Sequence, residues 1–284
     1  MSVEFNENEI KEVMNRLSKD RPIFHSEDDF KFSLAWEIKE EYEKKGENLE
    51  IRLEKKLNDS NPYYSTIKEK CKKSSQNNKR DQDKKNERID IFIIANGVKG
   101  KEKIGVELKY FTNELKLQNA NNGEKFILAN QAAQNEKCYD SWHDVEKLEN
   151  FILQKEIDKG FTIWLTNISL LTDCSRIKDK ENQYYYFRIC NNREIDYNKT
   201  NELKEHCLKW NDNKGKEIKR RNRLDPIYIS GNYKIKWEKY SDLIEEINKK
   251  NYIDLIKETD KVKPKKDYQF KFSILEIRPN RTLI

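Results

Sequence analysis

Residues 88–110 read RIDIFIIANGVKGKEKIGVELKY and contain the two most strand-like segments of the chain. Isoleucine, phenylalanine and valine recur at both ends of the stretch, and a glycine-containing turn region lies between them. This pattern predicts two strands joined as a hairpin. Three charged residues nevertheless stand inside the strands, at Asp90, Glu107 and Lys109. Because burying an unpaired charge is costly, these positions require a chemical reason.

The register of the hairpin decides which charges meet. If strands 88–95 and 103–110 pair about the turn, the numbers of opposing residues add to about 197. Asp90 then lies opposite Glu107, with the two Cβ atoms roughly 5 Å apart. Alternation along the second strand puts Lys109 on the face of Glu107 and its apolar neighbours on the other. In the first strand, the isoleucines at odd-numbered positions are predicted to share the face opposite Asp90.

This set of side chains indicates a metal site. Carboxylates so close together raise one another's pKa unless a cation lies between them. Mg²⁺ favours one or two carboxylates, keeps several waters and accepts a phosphate oxygen. Lys109 has no acceptor and is not a ligand, but its ammonium can hold an attacking water or stabilise charge on a phosphate. Asp90, Glu107 and Lys109 thus favour metal-assisted phosphodiester hydrolysis; the alternative is an exposed edge hairpin whose charges pair in solvent.

A helix before the hairpin supplies a further candidate. A capping-box pattern at Ser26 and apolar residues at every fourth position predict a helix over 26–44. Glu37 lies at the edge of its apolar stripe, so its carboxylate is directed inward and needs a partner. A metal shared with Asp90 and Glu107 provides one, and an inter-helix salt bridge is the alternative.

A second candidate follows the hairpin. Residues 123–155 are predicted to be helical, with a break near Tyr139-Asp140-Ser141. The side-chain amide of Gln134 can orient a phosphate or a water. Ordinary helix surface is the alternative for this glutamine.

The remaining elements are predicted from the same periodicities. Helices are predicted over 6–20 and about 240–258, and strands over 51–55, 161–171, 183–189, 227–237 and 268–277. This order predicts an α/β sandwich built on one mixed sheet. We divide the chain into a core over 1–195, which includes a basic loop over 57–87, and a C-terminal extension over 196–284. A single domain over 1–284 is the alternative.

Composition limits the class of protein. Of 284 residues, 35% are hydrophobic and 38% charged, so the core is thin and depends on 14 Tyr, 12 Phe and 5 Trp for burial. Five widely spaced cysteines and three histidines make a structural zinc site improbable, and they predict free thiols in a reducing cytoplasm. No long apolar run is present, so neither a signal peptide nor a membrane span is expected.

The net charge of +6 is small, and local clusters of charge are more informative. Basic residues concentrate in 68–85 and 214–223. Both clusters are predicted to contact the phosphates of a nucleic acid, which gives a salt-dependent affinity. The candidate contact residues are Lys72, Lys73, Lys79, Arg80, Lys219, Arg220 and Arg221.

Asp90 followed by Glu107-Leu108-Lys109 resembles the PD-(D/E)xK signature of the restriction-endonuclease-like nucleases, with Ile89 in place of the proline. The segments FHSEDDFKFSLAWEIKE, ERIDIFI, GVELKY and AAQNEKCYDSWHDVEKLE also resemble blocks of an uncharacterised bacterial branch. The resemblance implies a restriction-endonuclease-like α/β/α core with a central mixed β-sheet flanked by helices, here followed by the C-terminal β-containing extension.

The resemblance also implies roles for individual residues. Glu37, Asp90 and Glu107 would hold Mg²⁺, for which Mn²⁺ can substitute, and Lys109 would act on the nucleophilic water. Gln134 is the fourth element of this catalytic set. Some branches carry tyrosine four positions after the glutamine, whereas Tyr139 here follows Gln134 by five.

The leading expectation is a Mg²⁺-dependent deoxyribonuclease, an endonuclease of restriction or anti-phage defence, acting on DNA in the cytoplasm without a membrane partner. A homodimer is expected because one site cuts one strand, and a further subunit of a defence system is a second expected partner. The alternative is a nucleic-acid-binding module that keeps the nuclease fold without turnover, or whose activity depends on a complex.

Overall fold

The computed structural model describes most of the chain. The described residues are 5–57, 88–97, 100–131, 134–176, 184–196, 206–210, 223, 226–255 and 265–280. Residues 58–87 of the predicted basic loop lie outside them. The seven candidate phosphate contacts at 72–80 and 219–221 do as well.

Helices and strands alternate irregularly along the chain. The helices are α1 (Glu7–Asp20), α2 (Glu27–Lys44), α3 (Gln134–Leu153), α4 (Ser169–Thr172) and α5 (Leu243–Asn248). The first strands are β1 (Glu50–Lys56), β2 (Arg88–Gly97), β3 (Gly100–Phe111), β4 (Leu115–Asn119), β5 (Lys125–Leu128) and β6 (Lys159–Thr166). The later strands are β7 (Glu194–Ile195), β8 (Cys207–Leu208), β9 (Ile227–Tyr228), β10 (Tyr233–Lys234), β11 (Glu238–Asp242), β12 (Tyr252–Asp254) and β13 (Gln269–Ile277).

A six-stranded sheet with the order β1-β2-β3-β6-β13-β11 forms the centre. The β3–β6 pair is parallel and the other neighbours are antiparallel, so the sheet is mixed. This confirms the coarse prediction of an α/β fold with a central mixed sheet flanked by helices. Strands β11 and β13 come from the predicted C-terminal extension, so the predicted core and extension share one sheet.

Two apolar layers cover the two faces of this sheet. The first packs α1 and α2 against Val106, Leu108 and Tyr110 of β3. The second packs α3 against the opposite face of the sheet, which includes Trp164 of β6 and Leu275 of β13. Alternation along each strand therefore places the sheet between the two helical layers.

The predicted hairpin register is confirmed. Ile91 pairs with Val106 and Asn96 with Lys101, each a sum of 197. One detail differs, because the isoleucines of β2 do not all share a face. Ile91 packs in the α1–α2 layer, whereas Ile89 packs in the α3 layer. The alternation is therefore interrupted at the residue between them, Asp90.

Helix α2 begins where the capping pattern predicts. The Ser26 side chain accepts a hydrogen bond from the Asp29 backbone N–H, and Phe30, Leu34 and Ile38 are buried along one stripe. Helix α1 and strand β1 also agree with their predictions.

Several secondary-structure predictions are wrong. Residues 125–128 form β5 rather than helix, and α3 runs without a break through Tyr139. Residues 185–187 form a 3₁₀ turn instead of a strand. The predicted helix over 240–258 reduces to α5, with strands on both sides. Aromatic and charged runs carry no strong period here, so tertiary packing decided their conformation.

Cys174 and Cys190 form a disulfide, which corrects the prediction of free thiols at these two positions. Cys138 and Cys207 are free and buried. Within the described part of the chain, no helix is long and apolar enough to cross a membrane.

Candidate active site

The site begins where β2 separates from β3. The described β2–β3 pairs end at Ile91, and the next backbone N–H groups of β3 turn to carboxylates. Leu108 N donates to Asp90 Oδ2 at 2.8 Å, and Tyr110 N donates to Glu27 Oε2 at 2.8 Å. Two acidic side chains therefore replace a neighbouring strand along this edge of β3.

Glu107 lies beside that edge on the α3 side of the sheet. Its exposed fraction is 2%, and its Oε2 lies 2.7 Å from Nζ of Lys147. Its other oxygen, Oε1, is buried and has no hydrogen-bond partner among the described residues. Burial raises the pKa of Glu107 well above its usual value; Asp144 and Asp90 add to the increase and Lys147 opposes it. Asp90 therefore lies near enough to Glu107 to raise its pKa.

Lys109 is held by a carboxylate that the sequence analysis did not select. Its Nζ lies 2.5 Å from Oδ2 of Asp144 and donates to the Leu108 carbonyl at 3.2 Å. Burial lowers the pKa of Lys109, but the carboxylates of Asp144, Glu27 and Glu107 more than offset this, and the net shift is upward. The neighbouring carboxylates therefore favour the charged form of Lys109, which donates hydrogen bonds.

A third ammonium group approaches from α2. Nζ of Lys31 lies 3.0 Å from Asp90 Oδ1 and 3.2 Å from Asp28 Oδ1, and it also contacts Glu54. Burial lowers the pKa of Lys31, and these carboxylates raise it by more. Asp90 therefore uses one oxygen for the β3 backbone and the other for a lysine.

The orientation of α3 explains how its charges reach the site. Asp144 and Lys147 lie three residues apart, on the side of α3 that faces β3. One residue further, Leu148 packs over Gly105, where an added Cβ would lie 3.2 Å from Leu148 Cδ2 and 2.8 Å from Ile89 Cδ1. The absence of a side chain at Gly105 lets the helix approach closely, and Lys147 consequently meets Glu107.

Glu37 does not join this group, because its carboxylate contacts α1. Its Oε1 accepts a hydrogen bond from Arg16 Nε at 3.3 Å, and Arg16 also lies 3.1 Å from Glu41. The inter-helix salt bridge is therefore the arrangement that forms. Glu37 lies about 15 Å farther along the axis of α2 than Glu27, so the two cannot reach the same site.

Gln134 and Tyr139 are also separated from the charged cluster. Gln134 is the first residue of α3, about 15 Å along the helix axis from Asp144. Tyr139 is buried in the α3 apolar layer, with ring centroids 5.1 Å from Phe187 and 5.8 Å from Trp210. The structure therefore gives the tyrosine a packing role.

One residue of the second basic cluster is described. Arg223 Nε donates to Asp140 Oδ1 at 2.6 Å, and its Nη1 donates to Glu136 Oε2 at 3.0 Å. These are contacts within the protein, to the first turns of α3.

Four charged site residues were missed by the sequence analysis: Glu27, Lys31, Asp144 and Lys147. The sequence does place Glu27 at the start of α2, because it follows the N-cap residue Ser26. In the structure this end of the helix faces the edge of β3. Asp144 and Lys147 stand between apolar residues of α3, at a spacing that keeps them on one face. Which face meets the hairpin depends on how the helix docks.

The side chains agree in type with a divalent cation. Glu107 offers a buried carboxylate oxygen without a partner, and Asp90 and Glu27 place further carboxylates at the same end of β3. Among the described residues, however, no three acidic, histidine or cysteine side chains are arranged to hold a metal ion. Lysines hold Asp90 and Glu107 instead.

Comparison of the chain with protein-family models, with curated protein sequences and with solved structures finds no match.

Proposed function

We propose that the protein is a Mg²⁺-dependent deoxyribonuclease of the restriction-endonuclease-like type, an endonuclease that serves restriction or anti-phage defence. The observation that carries this proposal is Glu107, a buried carboxylate beside Asp90 and Lys109, of which one oxygen has no partner in the part of the chain that the structure describes. Burying a carboxylate oxygen costs free energy unless a hydrogen-bond donor or a cation contacts it.

The roles of the residues follow from their contacts. Asp90 and Glu107 would hold Mg²⁺ together with waters, and Glu27 would add negative charge at the same end of β3. When bound, the metal supplies Lewis-acid polarisation and a more acidic water. Asp144 orients the Lys109 ammonium, which is positioned to donate to a water or to a phosphate oxygen. Because its neighbours keep Lys109 charged, it contributes positive charge rather than proton abstraction.

The test is cleavage of plasmid and linear DNA, with RNA as a second substrate, in Mg²⁺ and in EDTA. We expect cleavage only with metal, and we expect Lys109→Ala and Glu27→Gln to abolish it. Glu37→Gln is the matched control on the same helix and should cleave like the parent. Absence of metal-dependent cleavage of any nucleic acid, or full activity in Lys109→Ala, contradicts the proposal.

A second function is favoured by one observation. Lys31 and Lys147 already lie 3.0 Å and 2.7 Å from the candidate ligands Asp90 and Glu107, so the described site is charge-paired without a metal. This arrangement suits a nucleic-acid-binding module without turnover, or a subunit that becomes active in a complex. Nucleic-acid binding that is unaffected by EDTA, without cleavage, supports this second function.

A further inference from the structure

The ammonium group of Lys147 has three acceptors in the site. Its Nζ lies 2.7 Å from Glu107 Oε2, 3.0 Å from the Arg88 carbonyl oxygen and 3.6 Å from Asp144 Oδ1. The Lys147 side chain is 11% exposed. Leaving Glu107 would therefore not leave this ammonium without partners.

Glu107 stands in the opposite situation. Lys147 satisfies one oxygen, while Oε1 is buried without a partner in the described part of the chain. One monovalent cation thus contacts one oxygen of this carboxylate, and the other oxygen accepts no hydrogen bond from the described residues. A divalent cation satisfies a carboxylate more completely than one ammonium does.

Lys31 repeats this arrangement on the other candidate ligand. Its Nζ binds Asp90 Oδ1 and keeps Asp28 and Glu54 as further acceptors. Lys31 comes from α2 and Lys147 from α3, the helices on opposite faces of the sheet. Two ammonium groups together carry the charge of one divalent cation.

We propose that Lys31 and Lys147 are place-holding cations, which a divalent metal ion displaces from Asp90 and Glu107 onto the acceptors that remain. This inference rests on the proposed function, because it concerns the same metal site. Metal binding is then an exchange of cations. The lysines compete with the metal for the carboxylates. When no metal is bound, they neutralise the charge of Asp90 and Glu107 in the folded protein.

The test measures Mn²⁺ binding to the full chain by calorimetry, without nucleic acid. Lys147→Met removes the competitor of Glu107, and we expect it to tighten Mn²⁺ binding by about tenfold or more relative to the parent. Lys109→Met is the matched control, since it removes the same charge from the same cluster, but its contact is Asp144 and not Glu107. We expect a smaller gain for this control.

Thermal unfolding gives a second measurement, in case Lys147→Met folds poorly without metal. The variant leaves the Glu107 carboxylate buried and unpaired, so its Tm should fall without metal and rise more with Mn²⁺ than that of the parent. Lys31→Met should show the same pattern through Asp90. A Lys147→Met variant that binds Mn²⁺ no more tightly than Lys109→Met overturns the exchange.

The outcomes separate the two proposals. If the parent binds Mn²⁺ and all three variants bind it equally or more weakly, the metal site stands and the exchange fails. If neither the parent nor any folded variant binds Mn²⁺, the proposed metal-dependent function fails, and the exchange fails with it.

Discussion

Two buried glutamates in the α3 layer are treated very differently by this fold. Glu149 of α3 is 3% exposed and accepts four hydrogen bonds from neutral donors: Ser230 N at 2.8 Å, Ser230 Oγ at 2.9 Å, Gly231 N at 2.7 Å and Tyr233 Oη at 2.7 Å. Glu107 of β3 is 2% exposed and contacts one ammonium, and its other oxygen has no partner among the described residues. Burial raises the pKa of both.

The difference separates a structural acid from an acid available for chemistry. The four donors around Glu149 come from residues 230–233, so this carboxylate fastens a C-terminal segment to α3. Both oxygens of Glu149 accept hydrogen bonds from this segment, and they therefore stabilise the fold. Within the described residues Glu107 lacks such a shell, and one of its oxygens accepts no hydrogen bond. The candidate site is therefore marked by a buried carboxylate with an incomplete set of hydrogen bonds beside the charged groups of Asp90 and Lys109.

The largest expected effect is on catalysis. Glu107→Gln removes a proposed metal ligand and should lower the rate of Mg²⁺-dependent plasmid cleavage by at least about a hundredfold, because the metal stabilises the transition state by several kcal/mol. Glu149→Gln should leave the rate per folded molecule close to that of the parent. Initial rates, corrected for the folded fraction by circular dichroism, check both expectations. Equal losses in the two variants would remove the distinction between the two acids.

The next effect is on stability, and here the substitution of Glu149 is expected to have the larger effect. Glu149→Ala leaves two backbone N–H groups and the Tyr233 hydroxyl without their acceptor, which should cost about 3–5 kcal/mol of unfolding free energy. Urea unfolding measures this cost. Glu149→Gln keeps one carbonyl oxygen and should cost less, about 1–3 kcal/mol. A Glu149→Ala variant as stable as the parent would show that the four hydrogen bonds are not structural.

Two glycines extend the same comparison. A Cβ on Gly231, beside Glu149, would lie 2.5 Å from the Arg278 carbonyl oxygen and 2.4 Å from Tyr233 Oη. A Cβ on Gly105, beside Glu107, would meet the Cδ1 atom of Ile89 at 2.8 Å, the end of a flexible side chain. Gly231→Ala should therefore destabilise the fold by about 3 kcal/mol and Gly105→Ala by about 1–2 kcal/mol. Urea unfolding of both variants ranks them, and the opposite ranking contradicts the argument.

The smallest effect concerns Lys137, a charge on α3 that contacts Gln131 Oε1 and lies 4.9 Å from the centroid of the Phe111 ring. Burial lowers its pKa from 10.5 to about 8, against the weaker attraction of Glu27 and Asp140. Lys137→Met removes this half-buried charge. We expect it to raise Tm at pH 7 by about 2 °C, a modest change because solvent screens a partly exposed group.

The lowered pKa of Lys137 also makes the stability of the protein depend on pH. Between pH 8 and 10.5 the unfolded chain binds a proton at Lys137 that the folded chain has released, so the stability of the parent rises with pH in this window. Lys137→Met lacks the rise, and its advantage over the parent should shrink between pH 8 and 10.5. Melting curves at both pH values check this expectation. A difference in Tm between Lys137→Met and the parent that is the same at both pH values would mean that the charge of Lys137 does not cause it.

Much of the hairpin could be predicted from sequence alone. The pairing sum of 197 follows from two strand-like segments and one turn, and the faces of Glu107 and Lys109 follow from alternation. The break in alternation at Asp90 could not be predicted. It depends on Lys31 of α2 and on the Leu108 N–H, which both donate to the Asp90 carboxylate and reach it only when the sheet and the helix are assembled.

The helical contribution to the site divides in the same way. The cap at Ser26 and the apolar stripe of α2 are local properties, and both were predicted. The choice between Glu27 and Glu37 was not local. Both lie on α2, but only the N-terminal end of the helix meets the open edge of β3, while Arg16 of α1 holds Glu37.

The sequence by itself determined the central hairpin, its register, the α2 cap and a mixed α/β architecture, because periods of two and of 3.6 residues are set by the local backbone. Only the tertiary structure decided that β13 and β11 complete the sheet, that Asp144 and Lys147 of α3 face β3, and that lysines hold the two candidate ligands. These contacts join residues far apart in the chain. Their geometry follows from how the layers pack against each other, which no local period encodes.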